Sequence, residues 1–332
     1  MRCLAAASSA LRSVLAGSPQ SAECLGVARG ALYLRIFEPP GALAVLCQDA
    51  VRLPCGLMLP ATSAELPLIS LAAPSASFLV GDHAVRWTGP AGPVDVRAVR
   101  EWAPARPARG TVTASALAAI RSLLGLAEPR RDDQRQQRGG GCHFAIARAV
   151  ANFHPRPNDD AIPRAEVAFL PDLAAAGLLG RGPGLTPSGD DVLVGYLAGA
   201  AAFGLDAAAL QQAIAVLAPA RTTSLSAALL WHATRGECID ELAALTAVLT
   251  SQPRRELERA AAGVDRLLPV GLRSGPPFAG DRLAAAESEL DGRAERAVSR
   301  LLSVGHSSGA ALALGLVIAA ETALNRQAGR AA

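Results

Sequence analysis

The sequence predicts an α+β fold in which a small β-rich unit precedes a mainly helical one. Short apolar runs of strand length, bounded by proline and glycine, fill the first third of the chain. Beyond the proline- and arginine-rich stretch 89–110, the pattern changes to long alanine- and leucine-rich segments with helical periodicity. We therefore predict a β-rich N-terminal domain over 1–105 and a helical domain over 106–332.

The first domain is predicted to begin with a helix over 4–16, where alanine and leucine dominate. Closely spaced short strands then predict a small antiparallel sheet or barrel. The predicted strands are 31–37, 42–47, 56–59, 77–80 and 83–87. The stretch 89–110 is predicted to cross to the second domain, where the predicted helices are 114–126, 142–152, 164–179, 190–205, 207–217, 223–234, 237–250, 254–268, 281–302 and 307–327, with a loop at 128–141.

The composition excludes several classes of function. The net charge is +3 without a long block of like charge, and only 4% of residues are aromatic, so no nucleic-acid groove is expected. All 32 basic residues are arginine. Without lysine the chain can form neither a Schiff base with PLP nor a P-loop. A clamp for phosphate or carboxylate must therefore use arginine, backbone N–H groups or a metal ion.

The six cysteines form no Cys-x-x-Cys pair, and no Cys/His cluster has the spacing of a zinc site. Reduced thiols of a cytoplasmic protein are the simplest interpretation, and neither zinc nor haem is expected. Arg12 interrupts the apolar N-terminus, which therefore makes a poor signal peptide. The apolar runs 192–205 and 309–320 are shorter than the roughly 20 residues that span a bilayer, so we predict core helices and no membrane contact.

The densest cluster of candidate functional residues is the stretch RGPGLTPSGDD at 181–191, directly before an apolar segment. A stiff, glycine-rich turn that begins a buried helix is the simplest interpretation. Glycines let backbone N–H groups come close to an anion, and the hydroxyls of the stretch add further donors. The candidate substrate-binding donors are Gly182, Gly184, Thr186, Ser188 and Gly189.

Ser188 is expected to cap this helix, and Asp190 and Asp191 would occupy its first turn, where acids complement the helix dipole. A capped helix start without further function is the alternative. The acids also offer carboxylates to Mg²⁺, which binds one or two carboxylates together with phosphate oxygens. Successive helical residues point about 100° apart, so both acids cannot face one small ligand. We predict Asp191 as the ligand of substrate or metal, and Asp190 as its support and as one of the substrate-binding residues.

A second helix start, Arg221-Thr222-Thr223, follows a proline. Arg221 is a candidate clamp for a carboxylate or phosphate, with a surface salt bridge as the alternative. Thr222 and Thr223 are candidate helix caps or ligand donors.

The third helix start is Gly305-His306-Ser307-Ser308-Gly309. It matches the Gly-x-Ser-x-Gly of a hydrolase nucleophile elbow, but that motif needs a preceding strand and a later histidine, and the sequence offers neither. We interpret it as another cap and anion site, in which Ser307 and Ser308 donate hydrogen bonds. His306 is a candidate donor or proton carrier, with a structural histidine as the alternative.

The pattern Gly-x-Gly-Leu-Thr-Pro-Ser-Gly-Asp-Asp at 182–191 resembles the signature of a bacterial family long described as a domain of unknown function. The family is typified by AllH, a subunit of the oxamate carbamoyltransferase of allantoin catabolism. The elements at 221–223 and 305–309 support the resemblance, which covers about the C-terminal half of the chain. It implies a subunit that works with other protein subunits on carbamoyl phosphate and a small carboxylate such as oxamate or oxalurate.

The resemblance and the anion chemistry together make Asp191, His306 and Ser307 the candidate catalytic residues. If the three helix starts converge, their N–H and hydroxyl donors suit a small, doubly anionic ligand. A structure should then place Ser188, Arg221 and His306 around one cleft. A non-catalytic anion-binding or scaffold subunit stays open, as does a metal-dependent hydrolase or carboxylase that uses both acids.

Overall fold

A computed structural model of the chain describes residues 1–126, 177–250 and 291–331. The predicted helices at 142–152 and 254–268, and the predicted loop at 128–141, lie outside these ranges. So do most of the predicted helix 164–179 and the first part of the predicted helix 281–302.

The N-terminal part of the chain forms a closed barrel whose eight strands follow the order β1-β5-β4-β3-β2-β6-β7-β8. The strands are β1 (Arg2–Ser8), β2 (Gln20–Val27), β3 (Ala31–Phe37), β4 (Pro40–Leu46), β5 (Gly56–Met58), β6 (Phe78–Gly81), β7 (Ala84–Gly89) and β8 (Gly92–Trp102). The β1–β8 and β4–β5 pairs are parallel, and the remaining neighbours are antiparallel. Fully buried side chains such as Leu32, Leu34, Leu43 and Leu57 fill the interior, as is usual in a barrel of this strand number.

The predicted leading helix over 4–16 is wrong in its first half. Residues 2–8 form β1, a short 3-10 helix covers Ser9–Leu11, and only Arg12–Ala16 is α-helical (α1). Ala5 and Ala7 point into the barrel while Leu4 is exposed, which is the period of a strand. Pairing with β8 overrides the helical propensity of the alanines.

Besides β1, two further strands were not predicted from the sequence. Strand β2 lies between the predicted helix 4–16 and the predicted strand 31–37, and β8 lies within the predicted crossing at 89–110. In β8, buried Val94 and Val96 alternate with the charged Asp95, so a period of two was present there. The nearby prolines and glycines hid that signal.

The described helices of the second part pack around one central pair. Besides the short α2 (Leu68–Leu71) of the barrel region, they are α3 (Ala114–Leu123), α4 (Ser188–Phe203), α5 (Ala208–Arg221), α6 (Ser224–Thr234), α7 (Asp240–Thr250), a helix whose described part covers 291–302 (α8), and α9 (Ser308–Ala331). Helices α4 and α9 form the central pair. Their backbones approach closely at Gly195 and Gly315, where a Cβ would overlap a carbonyl oxygen of the other helix.

Helix α9 extends beyond the apolar run at 309–320 and is longer than the roughly 20 residues that span a bilayer. Over Ser308–Gly329 it has the length and composition of a membrane-crossing helix, and it alone does so among the described residues. Within its most apolar window, 61% of the residues are buried inside the protein, as in the core helix of a soluble protein. Its packing against α4 accounts for that burial.

Helix α6 joins the two parts of the structure. Leu225 is buried in the core of the barrel, and Ala228 and Leu229 pack against the same core. The predicted α+β class is confirmed, while the domain boundary at 105 stays a prediction. The packing of α6 on β3 and β4 sets the start of α6, and the residues before it, beside the barrel.

Candidate functional site

The starts of α4, α6 and α9 meet through hydroxyl groups. The side-chain oxygens of Thr186 and Ser308 lie 3.0 Å apart, and those of Ser188 and Ser307 lie 3.5 Å apart, which connects α4 to α9. The Thr223 hydroxyl donates to the Leu185 carbonyl oxygen at 2.5 Å, which connects the residues before α4 to the start of α6. We call residues 181–187 the signature turn. The structure thus brings the three helix starts together.

The signature turn leaves backbone donors free. Gly182 and Gly184 have φ values of 118° and 94°, a region that favours glycine. Among the described residues, the N–H groups of Gly182, Gly184 and Thr186 have no hydrogen-bond acceptor. Successive unpaired N–H groups in a turn can form a concave site for an anion. Gly184 is exposed, so solvent and small ligands reach this part of the turn.

Gly189 has a different role from the one expected. Its N–H donates to the Arg181 carbonyl oxygen at 2.8 Å, so it is not free to bind an anion in this conformation. A side chain here would overlap the Leu178 carbonyl oxygen, so Gly189 permits close backbone packing. Ligand binding by Gly189 would require the turn to open.

The expectation that Ser188 caps α4 is wrong. Pro187 occupies the cap position without a side-chain bond, and Ser188 is the first helical residue, with its hydroxyl directed to Ser307. Thr223, by contrast, caps α6, since its hydroxyl oxygen accepts from the Ser226 N–H at 3.1 Å. The Ser188 hydroxyl therefore lies against Ser307, before α9, and does not cap the start of α4.

Asp190 is fully buried and serves as a hub of hydrogen bonds. One carboxylate oxygen accepts from the Gly180 N–H at 2.9 Å. The other accepts from the Ser226 hydroxyl at 2.7 Å and from the Thr222 hydroxyl. Burial raises the pKa of Asp190, and these three donors oppose that rise. With both oxygens occupied, Asp190 ties the start of α4 to the start of α6.

Asp191 is buried as well but has fewer partners, and its side chain is only 5% exposed. The Ser308 hydroxyl bonds its carboxylate, while Oδ2 is buried without a partner among the described residues. Burial raises the pKa of Asp191 to about 7; the Ser308 bond opposes the rise and the neighbouring Asp190 charge adds to it. Asp191 therefore gains and loses its proton near neutral pH.

Of the two acids predicted as possible magnesium ligands, only Asp191 has an unpartnered carboxylate oxygen in the described part of the chain. No group of three or more His, Cys, Asp or Glu side chains within the described ranges could hold a metal ion. Both oxygens of Asp190 accept hydrogen bonds, which leaves Asp191 Oδ2 as the one carboxylate atom of the pair without a partner among the described residues, and it is buried. Magnesium at Asp191 stays a prediction, and it would require further oxygens from a bound ligand or water.

Arg221 and His306 lie beside the cluster in the chain but not within its hydrogen bonds. Arg221 ends α5 and His306 belongs to the turn before α9, and both are exposed. Neither side chain forms a hydrogen bond or ion pair with another described residue. Their roles as clamp and proton carrier stay predictions.

Three residues of the cluster were missed in the sequence. Ser226 follows Thr223 at the spacing of a first helical turn, so a hydroxyl pair at 223 and 226 was the available signal. Gly180 and Leu185 offered none. Gly180 contributes a backbone N–H, and Leu185 is apolar.

The fold and the cluster define an α+β protein in which a glycine-rich turn beside a barrel gathers three helix starts. Residues 178–280 match the family model described as oxamate carbamoyltransferase subunit AllH. The resemblance seen in the signature turn is confirmed by this match, which covers the turn and the helices α4 to α7. No curated protein and no solved structure matches the chain.

Replacing Asp191 with asparagine is expected to change how stability depends on pH. The folded-state pKa of about 7 lies above the ordinary 3.8, so the folded state binds this proton more tightly than the unfolded chain. The free energy of unfolding should therefore fall as pH rises between these two values and level off above the higher one. At about 1.4 kcal/mol per pKa unit, the free energy of unfolding of the wild type should fall by roughly 2–3 kcal/mol between about pH 5 and about pH 8. Asp191→Asn, which cannot bind this proton, should show no such fall.

Urea unfolding of both proteins at the two pH values measures this difference. Asp206→Asn changes an exposed acid before α5, so its free energy of unfolding should fall with pH as it does in the wild type. Equal pH dependence in wild type and Asp191→Asn would show that burial does not hold the proton on Asp191.

Proposed function

We propose that the chain is a subunit of a carbamoyltransferase-type complex of allantoin or purine catabolism. It would bind carbamoyl phosphate and a small carboxylate, oxamate- or oxalurate-like, where the signature turn meets the starts of α6 and α9. The meeting of these three helix starts through hydroxyl groups carries the proposal. The family match over 178–280 supports the class of reaction.

The donor set suits a small anion with two charged ends. The free N–H groups of Gly182, Gly184 and Thr186 lie in one turn, and the hydroxyl of Thr186 in that turn lies 3.0 Å from the hydroxyl of Ser308. Helix starts carry partial positive charge, so three of them together favour a phosphate or carboxylate. The site thus offers many neutral donors without requiring a lysine.

Carbamoyl transfer makes a bond between the acceptor nitrogen and the carbamoyl carbon and breaks the bond from that carbon to the phosphate oxygen. The phosphate leaves with the electron pair, and the nitrogen loses a proton. Fixed donors stabilise the charge on the phosphate and on the tetrahedral oxygen. Asp191, with its pKa near 7, is proposed to accept the proton, and His306, Ser307 and Arg221 are proposed to bind the phosphate.

The proposal includes other protein subunits and a cytoplasmic location, and it assigns no role in nucleic-acid or membrane binding. An anion-binding subunit without its own catalysis is the second candidate. The exposed side chains of Arg221 and His306, which make no contact within the cluster, favour it. A hydrolase that uses both acids as metal ligands is less suited, because Asp190 has both oxygens occupied.

Calorimetry with carbamoyl phosphate, inorganic phosphate and oxamate is expected to show binding to the isolated chain. Ser308→Ala removes a hydroxyl at the meeting of two helix starts and should weaken phosphate binding by about tenfold or more, since one hydrogen bond to a charged group contributes about 1.5–3 kcal/mol. Arg221→Ala should weaken it by about fivefold or less, because an exposed ion pair is screened by solvent. Arg100→Ala, on the outside of β8, is the matched arginine control and should change nothing.

Phosphate release from carbamoyl phosphate in the presence of oxamate separates the two candidates. Release by the isolated chain would favour catalysis, and binding without release would favour the anion-binding subunit. Magnesium is varied in the same assay, and a requirement that Asp191→Asn removes would support the metal prediction. A chain that binds none of the three probes would contradict the proposed site.

A further inference from the structure

We propose that Leu185 is a positioning residue through which the barrel fixes the donors of the signature turn. This inference rests on the proposed function of the turn as an anion site. It gives the barrel a part in ligand binding, although the donors themselves come from the helical part of the chain.

The Leu185 side chain is anchored in the barrel. It is partly buried and packs against the core of the barrel, and one of its methyl carbons lies 3.1 Å from where a Cβ would stand at Gly26 of β2. The register of β2 against β3 shifts between Cys24 and Gly26, so the strand has a bulge at this point. A bulge bends a strand and redirects what it contacts. The bulge and the missing side chain at Gly26 together make room for Leu185.

The Leu185 backbone is anchored to α6. Its carbonyl oxygen accepts from the Thr223 hydroxyl at 2.5 Å, and Thr223 itself is fixed as the cap of α6. Helix α6 is in turn packed on the barrel through Leu225 and Leu229. Both anchors of Leu185 therefore lead to the barrel, one directly and one through α6.

The orientation of one donor follows from these anchors. A trans peptide group is planar, and its N–H points opposite to its C=O. Because the Leu185 carbonyl points at Thr223, the N–H of Thr186 in the same peptide group points away from the start of α6. That N–H has no acceptor among the described residues, while the Thr186 hydroxyl lies 3.0 Å from that of Ser308. Fixing Leu185 thus directs a free donor outward, beside a hydroxyl held by α9.

A pair of matched truncations tests the inference. Leu185→Ala and Leu71→Ala each remove a leucine that packs against the barrel core, one from the signature turn and one from α2. Both should lower the melting temperature by similar amounts, since each removes a similar apolar area. Only Leu185→Ala should weaken binding of inorganic phosphate and oxamate, by about tenfold, because it alone loosens the donors.

Two gentler variants keep the test valid if a truncation fails to fold. Leu185→Met fills the same volume and should restore most of the affinity. Gly26→Ala crowds the Leu185 methyl group without changing the turn and should weaken binding by several-fold. Equal affinity loss in Leu185→Ala and Leu71→Ala, or unchanged affinity in Leu185→Ala and Gly26→Ala, would overturn the positioning role alone. Failure of the wild-type chain to bind either probe would instead overturn the anion site.

Discussion

Replacing Gly195 with alanine is expected to lower the free energy of unfolding by about 3 kcal/mol or more. Gly195 lies on α4 at the point where the backbone of α9 comes closest, and a Cβ there would overlap the Leu312 carbonyl oxygen. A backbone carbonyl cannot rotate away as a side chain does, so the two helices must separate. Since α4 carries both acids and α9 carries Ser307 and Ser308 at its start, separation should also weaken phosphate binding.

Gly315→Ala tests the same contact from the other side, because a Cβ there would overlap the Val192 carbonyl oxygen of α4. Gly329→Ala is the matched control. Gly329 lies in α9 with nothing near the position of its missing Cβ, so alanine there should stabilise slightly through helix propensity. Urea unfolding measures all three variants, and a Gly195→Ala protein as stable as Gly329→Ala would disprove the close packing of α4 and α9.

Asp190→Ala is expected to destabilise the protein by about 3–5 kcal/mol. The change leaves the Gly180 N–H and the Thr222 and Ser226 hydroxyls without their shared acceptor in a buried place. Each unsatisfied buried donor costs about 1–3 kcal/mol, and relaxation around the cavity recovers a part of the sum. Asp190→Asn retains an acceptor oxygen and should cost less.

The two acids of the signature should therefore behave in opposite ways. Asp190→Asn should lower the melting temperature while phosphate and oxamate still bind to the folded protein. Asp191→Asn should preserve the melting temperature near pH 7, or raise it, and weaken binding. Asp206→Ala removes an exposed acid before α5 whose carboxylate accepts from the Ala208 N–H at 3.1 Å. It should cost only about 1 kcal/mol and is the control for loss of a carboxylate. A small, Asp206-like effect of Asp190→Ala would mean that the buried hydrogen bonds contribute little.

The helical part shows how far local pattern reaches. The predicted segments 190–205, 223–234 and 237–250 correspond closely to α4, α6 and α7, because an apolar helical period and start signals are contained in a short stretch of chain. The predicted helix at 207–217 was too short, since Pro219 lies inside α5 and the helix continues to Arg221. The proline predicted that the helix ends before residue 219, but α5 continues past it.

The barrel shows where local pattern fails. Strand β1 pairs with β8, with Arg2 opposite Asp95, and no short window of sequence contains both strands. Its alanine-rich composition favours a helix locally, and the pairing partner decides otherwise. The closed order of strands is likewise a property of distant pairs, which is why the sequence indicated a sheet or barrel without distinguishing them.

The sequence by itself determined the α+β class, the three helix starts with their glycines, hydroxyls and acids, and the family resemblance at 182–191. These depend on residue types and spacings along the chain. Only the tertiary structure decided what each group contacts. In the structure Asp190 accepts from three donors, whereas Asp191 Oδ2 has none among the described residues. The Gly189 N–H is bonded to the Arg181 carbonyl oxygen, and Leu185 packs against the barrel core. A hydrogen bond or a buried contact is made with whatever the fold brings near, and adjacent residues of a helix face different surroundings because they point in different directions.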